Sequence, residues 1–276
     1  MSLLKFISVA LLILVAPSFA ISQEFELRNK IDLNVTAQVG VELVAKEYIY
    51  SYILSSSYKS QQNVWQFEVI LQGEDLIKSI QGPQGWYKPT IKPIGLGVSP
   101  QLANVVIAHW GSPNSARVAP GTSVSGFKLV SSSLPGIGDY YAEGYAPAPW
   151  FPAGSAPEGD IPGYDDLTPY GPGVVGKTIV PVEPPAIFNP LNFLNHIINL
   201  KNEAFKIGWI TNQGIEQSLD AKLESAKKKL DAGDIKAVKN ILNAFLNEVE
   251  AQKDKHLTSE AYGLLKYNTQ YIVERL

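Results

Sequence analysis

Two kinds of hydrophobic spacing divide the chain. Between residues 48 and 130, apolar and polar positions alternate with a period of two, whereas between residues 215 and 275 apolar positions recur every three or four residues. The first period is that of a half-buried β-strand, and the second is that of an amphipathic α-helix. The pattern therefore predicts a β-rich part followed by an α-helical part.

Four segments carry the strand pattern, namely 48–53, 65–71, 105–110 and 125–130. They are rich in aromatic and β-branched residues, which favour a pleated, half-buried surface. Turn sequences at 82–85, 120–121 and 135–136 separate or follow them. Short strands at this spacing predict an immunoglobulin-like β-sandwich, and about 120 residues suffice to close one such core.

Three amphipathic segments, 215–230, 235–249 and 261–275, carry the helix pattern. Residues that start or stop helices flank them, and a further helix is predicted to begin at Pro190. The capping residues are Asn189, Gly233, Asp234 and Thr258. Short connections make neighbouring helices antiparallel, so residues 191–276 are predicted to form a small helical bundle.

Proline and charge mark the boundary between these parts. All 19 prolines precede residue 191, and residues 146–190 hold 11 of them together with 6 glycines. Such a composition does not build a core of its own, so 146–190 is interpreted as an extended linker. The predicted domains are 21–145 for the sandwich and 191–276 for the bundle, folding as separate units.

The first 20 residues have the pattern of a secretory signal peptide. Lys5 precedes an apolar run over 6–16, and small residues occupy both cleavage-determining positions, Ser18 and Ala20. Cleavage is predicted after Ala20, which places the mature protein outside the cell or on its surface. The sequon at Asn34 leaves open whether that residue is glycosylated.

Composition excludes several classes of function. The chain has no cysteine, so disulfides, thiolate nucleophiles, iron–sulfur clusters and cysteine zinc sites are impossible. Its net charge of −3, which becomes −4 once the single lysine of the signal is removed, argues against nucleic acid as a partner. No segment of the mature chain has the roughly 18 apolar residues of a membrane span, and no cofactor is predicted.

The helical part resembles a known family. Residues 208–276 are similar to the FIMAH-type helical module of secreted prokaryotic proteins. The matching positions are 210–215, 219–223, Ala226, Leu230, 244–252 and 257–258. The chain departs from this pattern at 253–255, where Lys-Asp-Lys replaces Gly-Lys, and at Tyr267 and Asn268, which replace small residues in the last helix. The resemblance implies no catalytic or binding residue.

The β-rich part resembles an unnamed sandwich-like domain of secreted bacterial proteins. This similarity covers residues 48–145 and rests on turn and packing positions at 83–86, 119–123, 125–127, 134–136 and 139–144. It implies a sandwich and brings no activity.

One segment matches the residue spacing of a nucleotide-binding motif but lacks the flanking sequence that the motif requires. Residues 171–178 match the Walker A pattern, with Lys177 and Thr178 at its end. That loop requires a buried strand before it and a helix after it, so that backbone N–H groups surround the phosphates. Here a polar, proline-containing segment precedes it and 179–185 is proline-rich, so we expect no nucleotide site and an isolated, exposed Lys177.

Histidines and exposed aromatic residues complete the candidate chemistry. His109, His196 and His256 fall in different elements, so no metal site or catalytic triad is predicted. Aromatic rings left at the surface can stack on sugars. The candidates for such stacking are Trp86, Tyr87 and Trp110.

Two classes of function stay open from the sequence. The favoured one is a secreted or surface-associated, non-enzymatic binding or structural protein, with a cell-envelope protein or polysaccharide as partner and an undetermined oligomeric state. The alternative is an extracellular hydrolase that acts on glycans or peptides with a pair of carboxylates. The candidate carboxylates are Glu47, Glu68, Asp139 and Glu143. Two close, buried carboxylates in a cleft would favour the enzyme.

Overall fold

Nine strands and four helices form the described part of the chain. The structure is a computed structural model that describes residues 35–60, 62–93, 105–145 and 173–276. The strands are β1 (Val35–Val44), β2 (Glu47–Ser56), β3 (Val64–Leu71), β4 (Ser79–Gln81), β5 (Thr90–Pro93), β6 (Val106–Gly111), β7 (Ser123–Ser131), β8 (Leu134–Gly144) and β9 (Val174–Val182). The helices are α1 (Pro190–Lys206), α2 (Gln213–Asp231), α3 (Ile235–Gln252) and α4 (Ser259–Arg275). The predicted signal peptide and Asn34 lie outside the described residues.

The strands form two antiparallel sheets that pack face to face. Sheet A has the order β1-β2-β7-β4, and sheet B has the order β5-β6-β3-β8-β9. The four predicted strands correspond to β2, β3, β6 and β7, so the predicted sandwich is confirmed. Alternation sends one side of each strand inward, where the largest fully buried side chains include Tyr50, Tyr52, Phe67, Trp110 and Phe127.

Two tyrosines of β2 connect the sheets. The Tyr50 hydroxyl donates to the carbonyl oxygen of Ser133 at 2.7 Å, and the Tyr52 hydroxyl donates to that of Ile179 on β9 at 2.9 Å. Burial raises the pKa of both phenols well above the ordinary value. These neutral hydroxyls satisfy carbonyl oxygens inside an otherwise apolar core.

The linker prediction is wrong for residues 174–182. They form β9, which pairs with β8 from Val174 opposite Ala142 to Val182 opposite Leu134. Proline is tolerated here because β9 is the edge strand of sheet B, where an unpaired backbone nitrogen breaks no ladder. The last strand of the sandwich therefore lies within the segment that was interpreted as a linker.

The turn predicted at Pro135-Gly136 is also wrong, since both residues lie within β8. Two glycines of β8 allow β9 to approach this strand closely. A Cβ added to Gly136 would clash with Cγ2 of Val182, and one added to Gly138 would lie 2.6 Å from Cγ2 of Val180. The missing side chains make room for the valines of β9.

The four helices form the predicted bundle. The N-caps Asn189, Asp234 and Thr258 are confirmed, and Asn212 is an additional cap that the sequence analysis did not predict. Asn189, Asn212, Asp234 and Thr258 each accept a hydrogen bond from a backbone N–H in the first turn of the helix that follows. Asp254 has a φ of 59°, in the region that favours glycine, and it lies in the stretch 253–255 where Lys-Asp-Lys replaces the Gly-Lys of the family pattern. No helix among the described residues is long and apolar enough to cross a membrane.

Bundle and sandwich share one hydrophobic core, so they are not separate units as predicted. Buried residues of β1, β8 and β9 belong to the same cluster as those of all four helices. Helix α4 makes the connection. The Tyr267 ring meets Tyr48 edge-on at 5.4 Å, and the Asn268 amide donates to the Pro135 carbonyl oxygen at 2.8 Å. The departure from the family pattern at 267–268 is thus the contact that docks the helix.

Candidate functional site

Two of the three predicted stacking residues face the core. Trp110 is 0% exposed, stacks on Phe67 at 5.5 Å, and donates through its indole N–H to the Gln81 carbonyl oxygen. The Trp86 ring is half-buried and stands perpendicular to that of Phe127 at 4.8 Å. The stacking prediction for Trp110 is wrong, because its ring has no exposed face, whereas a binding role for the half-buried Trp86 stays a prediction.

Tyr87 is the most exposed of the three stacking candidates. It is 60% exposed, and its backbone N–H donates to the Gly111 carbonyl oxygen on β6 at 3.0 Å. A Cβ added to Gly111 would lie 3.6 Å from the Tyr87 ring and 3.5 Å from Nε2 of His109. Tyr87 therefore lies at the edge of sheet B, next to His109, and its role in binding stays a prediction.

The candidate carboxylates fall into two groups. Glu47 and Asp139 form ion pairs with lysines of neighbouring elements, at 2.9 Å to Lys78 and 2.8 Å to Lys177. Glu68 and Glu143 lie on adjacent strands of sheet B, since Glu143 pairs with Gln66, two residues before Glu68. The structure therefore brings one pair of the predicted carboxylates together.

Glu68 is the centre of a buried polar cluster. It is 4% exposed, and its Oε1 lies 2.7 Å from Nδ1 of His109, 3.0 Å from Nε2 of Gln66 and 3.6 Å from Nζ of Lys92. Sheet register explains the contact, because Glu68 is directly opposite His109. Three partners satisfy this carboxylate, and the alternation of β3 and β6 gave no indication of that pairing.

Glu143 is a half-buried acid with an altered proton affinity. Burial raises its pKa, hydrogen bonds from Tyr141 and Trp65 lower it, and the nearby Glu68 carboxylate raises it further. The Tyr141 hydroxyl donates to Oε2 of Glu143 at 2.8 Å. A carboxyl with a raised pKa beside a second carboxylate is the arrangement that acid–base hydrolysis uses.

The Walker-like segment does not form a phosphate loop. Residues 174–178 lie within β9, so the strand itself occupies the place of the helix that the motif requires. Lys177 is not the isolated charge predicted from the sequence, because it pairs with Asp139 on β8. The described part of this segment therefore has the geometry of a β-ladder.

An open groove of about 510 Å³ crosses the outer face of sheet A. Its lining comes from three strands and from the first residue of α4, and its side chains are mostly hydroxyl, amide and aliphatic groups. The lining residues are Gln38, Val39, Gly40, Ser51, Tyr52, Ile53, Ser125, Gly126, Lys128 and Ser259. Lys128 is the charged residue in this set, and Ile53 is 41% exposed.

Two glycines and a bulge shape the groove. The register between β2 and β7 shifts after Tyr52, and Gly126 occupies the shift with a φ of 106°. A bulge bends the strand and re-aims its neighbouring side chains. At Gly40, an added Cβ would find no atom within 4 Å, so the floor of the groove is open there. No sequence pattern joins these residues, which sit on separate strands.

Metal binding has no support in the described residues. Within them, no group of three or more histidine, aspartate or glutamate side chains is placed to hold an ion. In the bundle, buried Lys201 of α1 is held by Glu216 and Asp220 of α2, the latter at 2.8 Å. These ion pairs join two helices.

Comparison with known proteins identifies one part of the chain. Residues 194–274 match the family model of the FIMAH domain, as the sequence resemblance implied. A crystal structure of an uncharacterized protein from Nocardia farcinica, described as having an immunoglobulin-like fold, covers 54% of this chain and 98% of its own, at 15% identity and a TM-score of 0.26. No curated protein matches the chain. A FIMAH module joined to a β-sandwich fits a structural or accessory protein.

Proposed function

We propose that the protein is a non-enzymatic accessory protein, exported from the cell, that binds a cell-surface polysaccharide in the groove on sheet A. The observation that carries this proposal is the lining of the groove. Hydroxyl and amide groups of Ser51, Ser125 and Gln38 surround an open, solvent-facing space, and no carboxylate is among its lining residues.

Polysaccharides suit this lining chemically. Serine hydroxyls and a glutamine amide both donate and accept hydrogen bonds, as sugar hydroxyls do. The exposed part of Ile53 offers an apolar surface for the C–H face of a sugar ring, and Lys128 is a donor for a ring oxygen or an acidic substituent. Specific binding sites generally combine such apolar walls with a few polar groups that fix orientation.

Binding is tested with the full chain and polysaccharide extracted from the envelope of the producing cell. Gly40→Trp fills the groove at a position with open space for a side chain and should abolish retention. Val44→Trp adds the same side chain to the same strand at an exposed position outside the groove and should bind normally. Equal retention of the two variants, or capture of an envelope protein in place of polysaccharide, would contradict the proposal.

Export is tested separately. The pattern of Lys5, the apolar run and Ser18 to Ala20 supports cleavage after Ala20. N-terminal sequencing of the protein from the culture medium or cell surface should begin at Ile21. A chain that retains Met1 there would contradict cleavage.

The hydrolase alternative rests on one observation, the raised pKa of Glu143 close to Glu68. Binding is preferred because Glu68 is 4% exposed and already bound by His109, Gln66 and Lys92. Release of reducing ends or peptides by the wild type, lost in Glu143→Gln, would establish the alternative in its place.

A further inference from the structure

The polar lining of the groove on sheet A continues past the groove towards one end of the sandwich. Ser51, Ile53 and Ser55 are alternate positions of β2 whose side chains face away from the core. Ser123 of β7 pairs with Ser55, and the hydroxyl oxygens of these two serines lie 2.7 Å apart. Since Ser55 lies two residues beyond the lining residue Ile53, a row of hydroxyl groups leads out of the groove along β2.

The hydroxyl row ends at an exposed aromatic ring. Tyr58 follows β2 and is 78% exposed. A Cβ added to Gly121 would lie 3.7 Å from Cβ of Tyr58, so the tyrosine lies beside the turn that precedes β7. Nζ of Lys59 lies 6.0 Å from the centroid of the tyrosine ring. From Ser51 to the end of β2 at Ser56 the strand rises about 17 Å, so the path has room for several linked sugar rings.

Charge along this path has one sign. Lys128 lies in the groove and Lys59 lies at the outer end of the path. Neither lysine forms an ion pair with any residue that the structure describes. Segments 36–41, 51–60 and 121–128, which build this face from three neighbouring strands, contain no aspartate or glutamate. The path therefore attracts negative charge.

The carboxylate of Glu260 lies next to the groove but is already bound. Glu260 follows the lining residue Ser259 and is 5% exposed. Its Oε1 accepts the backbone N–H of Val39 at 2.8 Å, in a contact that joins α4 to β1, and its Oε2 accepts the Ser259 hydroxyl at 3.2 Å. A ligand that lies between Lys128 and Lys59 therefore meets unpaired ammonium groups and no unpaired carboxylate.

We propose that the polysaccharide is acidic and that it extends from the groove along β2 to Tyr58. Its carboxylate or phosphate groups pair with Lys128 and Lys59, its hydroxyl groups bond to the row of serines, and one of its rings stacks on Tyr58. The acidic class rests on the proposed function, since it describes the same ligand. An ammonium group attracts either anion as a point charge, so experiment must distinguish the two.

Chemical removal of the charges tests the ligand class with the full chain. The probes are envelope polysaccharide from the producing cell in three forms: untreated, carboxyl-reduced, and dephosphorylated with hydrofluoric acid. The wild type should bind the untreated form and bind one treated form roughly two- to thirty-fold more weakly, because two lysines lose their partners. The treatment that weakens binding identifies the charge as carboxylate or phosphate. High salt should weaken binding of the untreated form as well.

Surface substitutions test the residues. Lys128→Gln and Lys59→Gln should each weaken binding of the untreated polymer by roughly two- to five-fold and leave binding of the neutralised form unchanged. Lys228→Gln removes the same charge from the exposed face of α2 and should have no effect. Tyr58→Ala should weaken binding of both forms by roughly two- to ten-fold, because stacking does not require charge. Phe205→Ala removes a ring that is 37% exposed on α1 and should have no effect.

Three results would overturn the acidic class or the extended path. One is equal affinity of the wild type for all three forms of the polymer. Another is a loss on neutralisation that persists in full when Lys128→Gln and Lys59→Gln are combined, which would place the recognised charge elsewhere. The third is unchanged binding by Tyr58→Ala. Failure of the proposed function itself differs, because the wild type would then not retain the untreated polymer, or Gly40→Trp would retain it as well, and the acidic class would fail with it.

Discussion

The side-chain amide of Asn268 on α4 donates a buried hydrogen bond to the backbone carbonyl oxygen of Pro135 on β8, at 2.8 Å. The same amide donates to the carbonyl oxygen of Leu264. With the contacts between α4 and β1, this bond attaches the last helix to both sheets of the sandwich. Helix α4 therefore belongs as much to the sandwich as to the bundle.

Asn268→Ala should destabilise the full chain by about 1–3 kcal/mol, because it leaves the buried carbonyl of Pro135 without a donor. Urea unfolding followed by circular dichroism measures the change. Glu274→Ala, whose side chain is 70% exposed on the same helix, should alter the free energy of unfolding by less than about 0.5 kcal/mol. Similar losses in both variants would mean that the contact contributes nothing specific.

Phe245 of α3 is fully buried in the core, as are Leu223 and Ala226 of α2. Phe245→Ala should cost about 3–5 kcal/mol through lost burial and the cavity left behind. Lys228→Ala, on the exposed face of α2, should cost less than about 0.5 kcal/mol. Thermal and urea unfolding compare the two, and equal losses would place the packing seam elsewhere.

The two-residue turn between β1 and β2 is built from unfavourable residues. Ala45 and Lys46 have φ values of 50° and 70°, whereas such a hairpin turn prefers Asn-Gly. Ala45→Asn combined with Lys46→Gly should raise the free energy of unfolding by about 1–2 kcal/mol, because glycine has no Cβ to strain at positive φ and asparagine tolerates that region better than alanine. Unchanged or lower stability would show that the turn adopts another backbone in solution.

Glu143 should make stability fall as pH rises. Its pKa in the folded protein lies above the ordinary value of 4.5, so the unfolded chain releases this proton first. The contribution of Glu143 to stability is therefore fully present below pH 4.5 and is lost as pH rises through its folded pKa. Glu143→Gln, which still accepts the Tyr141 hydroxyl, should therefore raise the melting temperature at neutral pH and have no such effect in acid.

Glu250 provides a control, because its pKa is shifted in the direction opposite to that of Glu143. A hydrogen bond from Tyr262 lowers its pKa, so its stabilisation is present above the ordinary value and is lost as pH falls through the folded pKa. Glu250→Gln should lower the melting temperature at neutral pH. If both glutamine variants shifted the melting temperature in the same direction, the inferred pKa directions would be wrong.

Lys177 should be dispensable. Its ion pair with Asp139 is 46% exposed on the lysine side, so Lys177→Ala should cost at most about 1 kcal/mol. A thermal scan with millimolar ATP and Mg²⁺ should give the same melting temperature as one without. A nucleotide-dependent rise in wild type that the variant lacks would restore the phosphate-binding interpretation.

Alternation and helical spacing correctly predicted the strands and helices that have one face in the core and the other in solvent. Tyr50 and Tyr52 face the core while Ser51 and Ile53 face the groove, so β2 shows a clear period of two. The sequence analysis did not predict β9. Pro181 and the glycines around the strand give this segment the composition of a linker. Pro181 pairs with Pro135, on a stretch of β8 that β3 does not reach, and that placement is set by the fold and not by neighbouring residues.

The candidate sites show the same limit. Glu68 and Glu143 were identifiable as carboxylates, but their nearness and the contact with His109 depend on strand register. The groove depends on a bulge at Gly126 and on Gly40, which neither residue type nor spacing reveals. Trp110 was wrongly predicted to be exposed, because the sequence around a ring at the end of a strand does not show which side of the strand faces the core.

The bond between Glu260 and Val39 spans 221 positions of the chain, which has a consequence for synthesis. At about 5–20 residues per second, roughly 10–45 s separate the emergence of the two residues from the ribosome. During that interval the nascent chain carries a strand edge that its own later residues have yet to reach. Premature termination before α4 would make this exposure permanent, so shortened chains should be preferred substrates of chaperones and proteases.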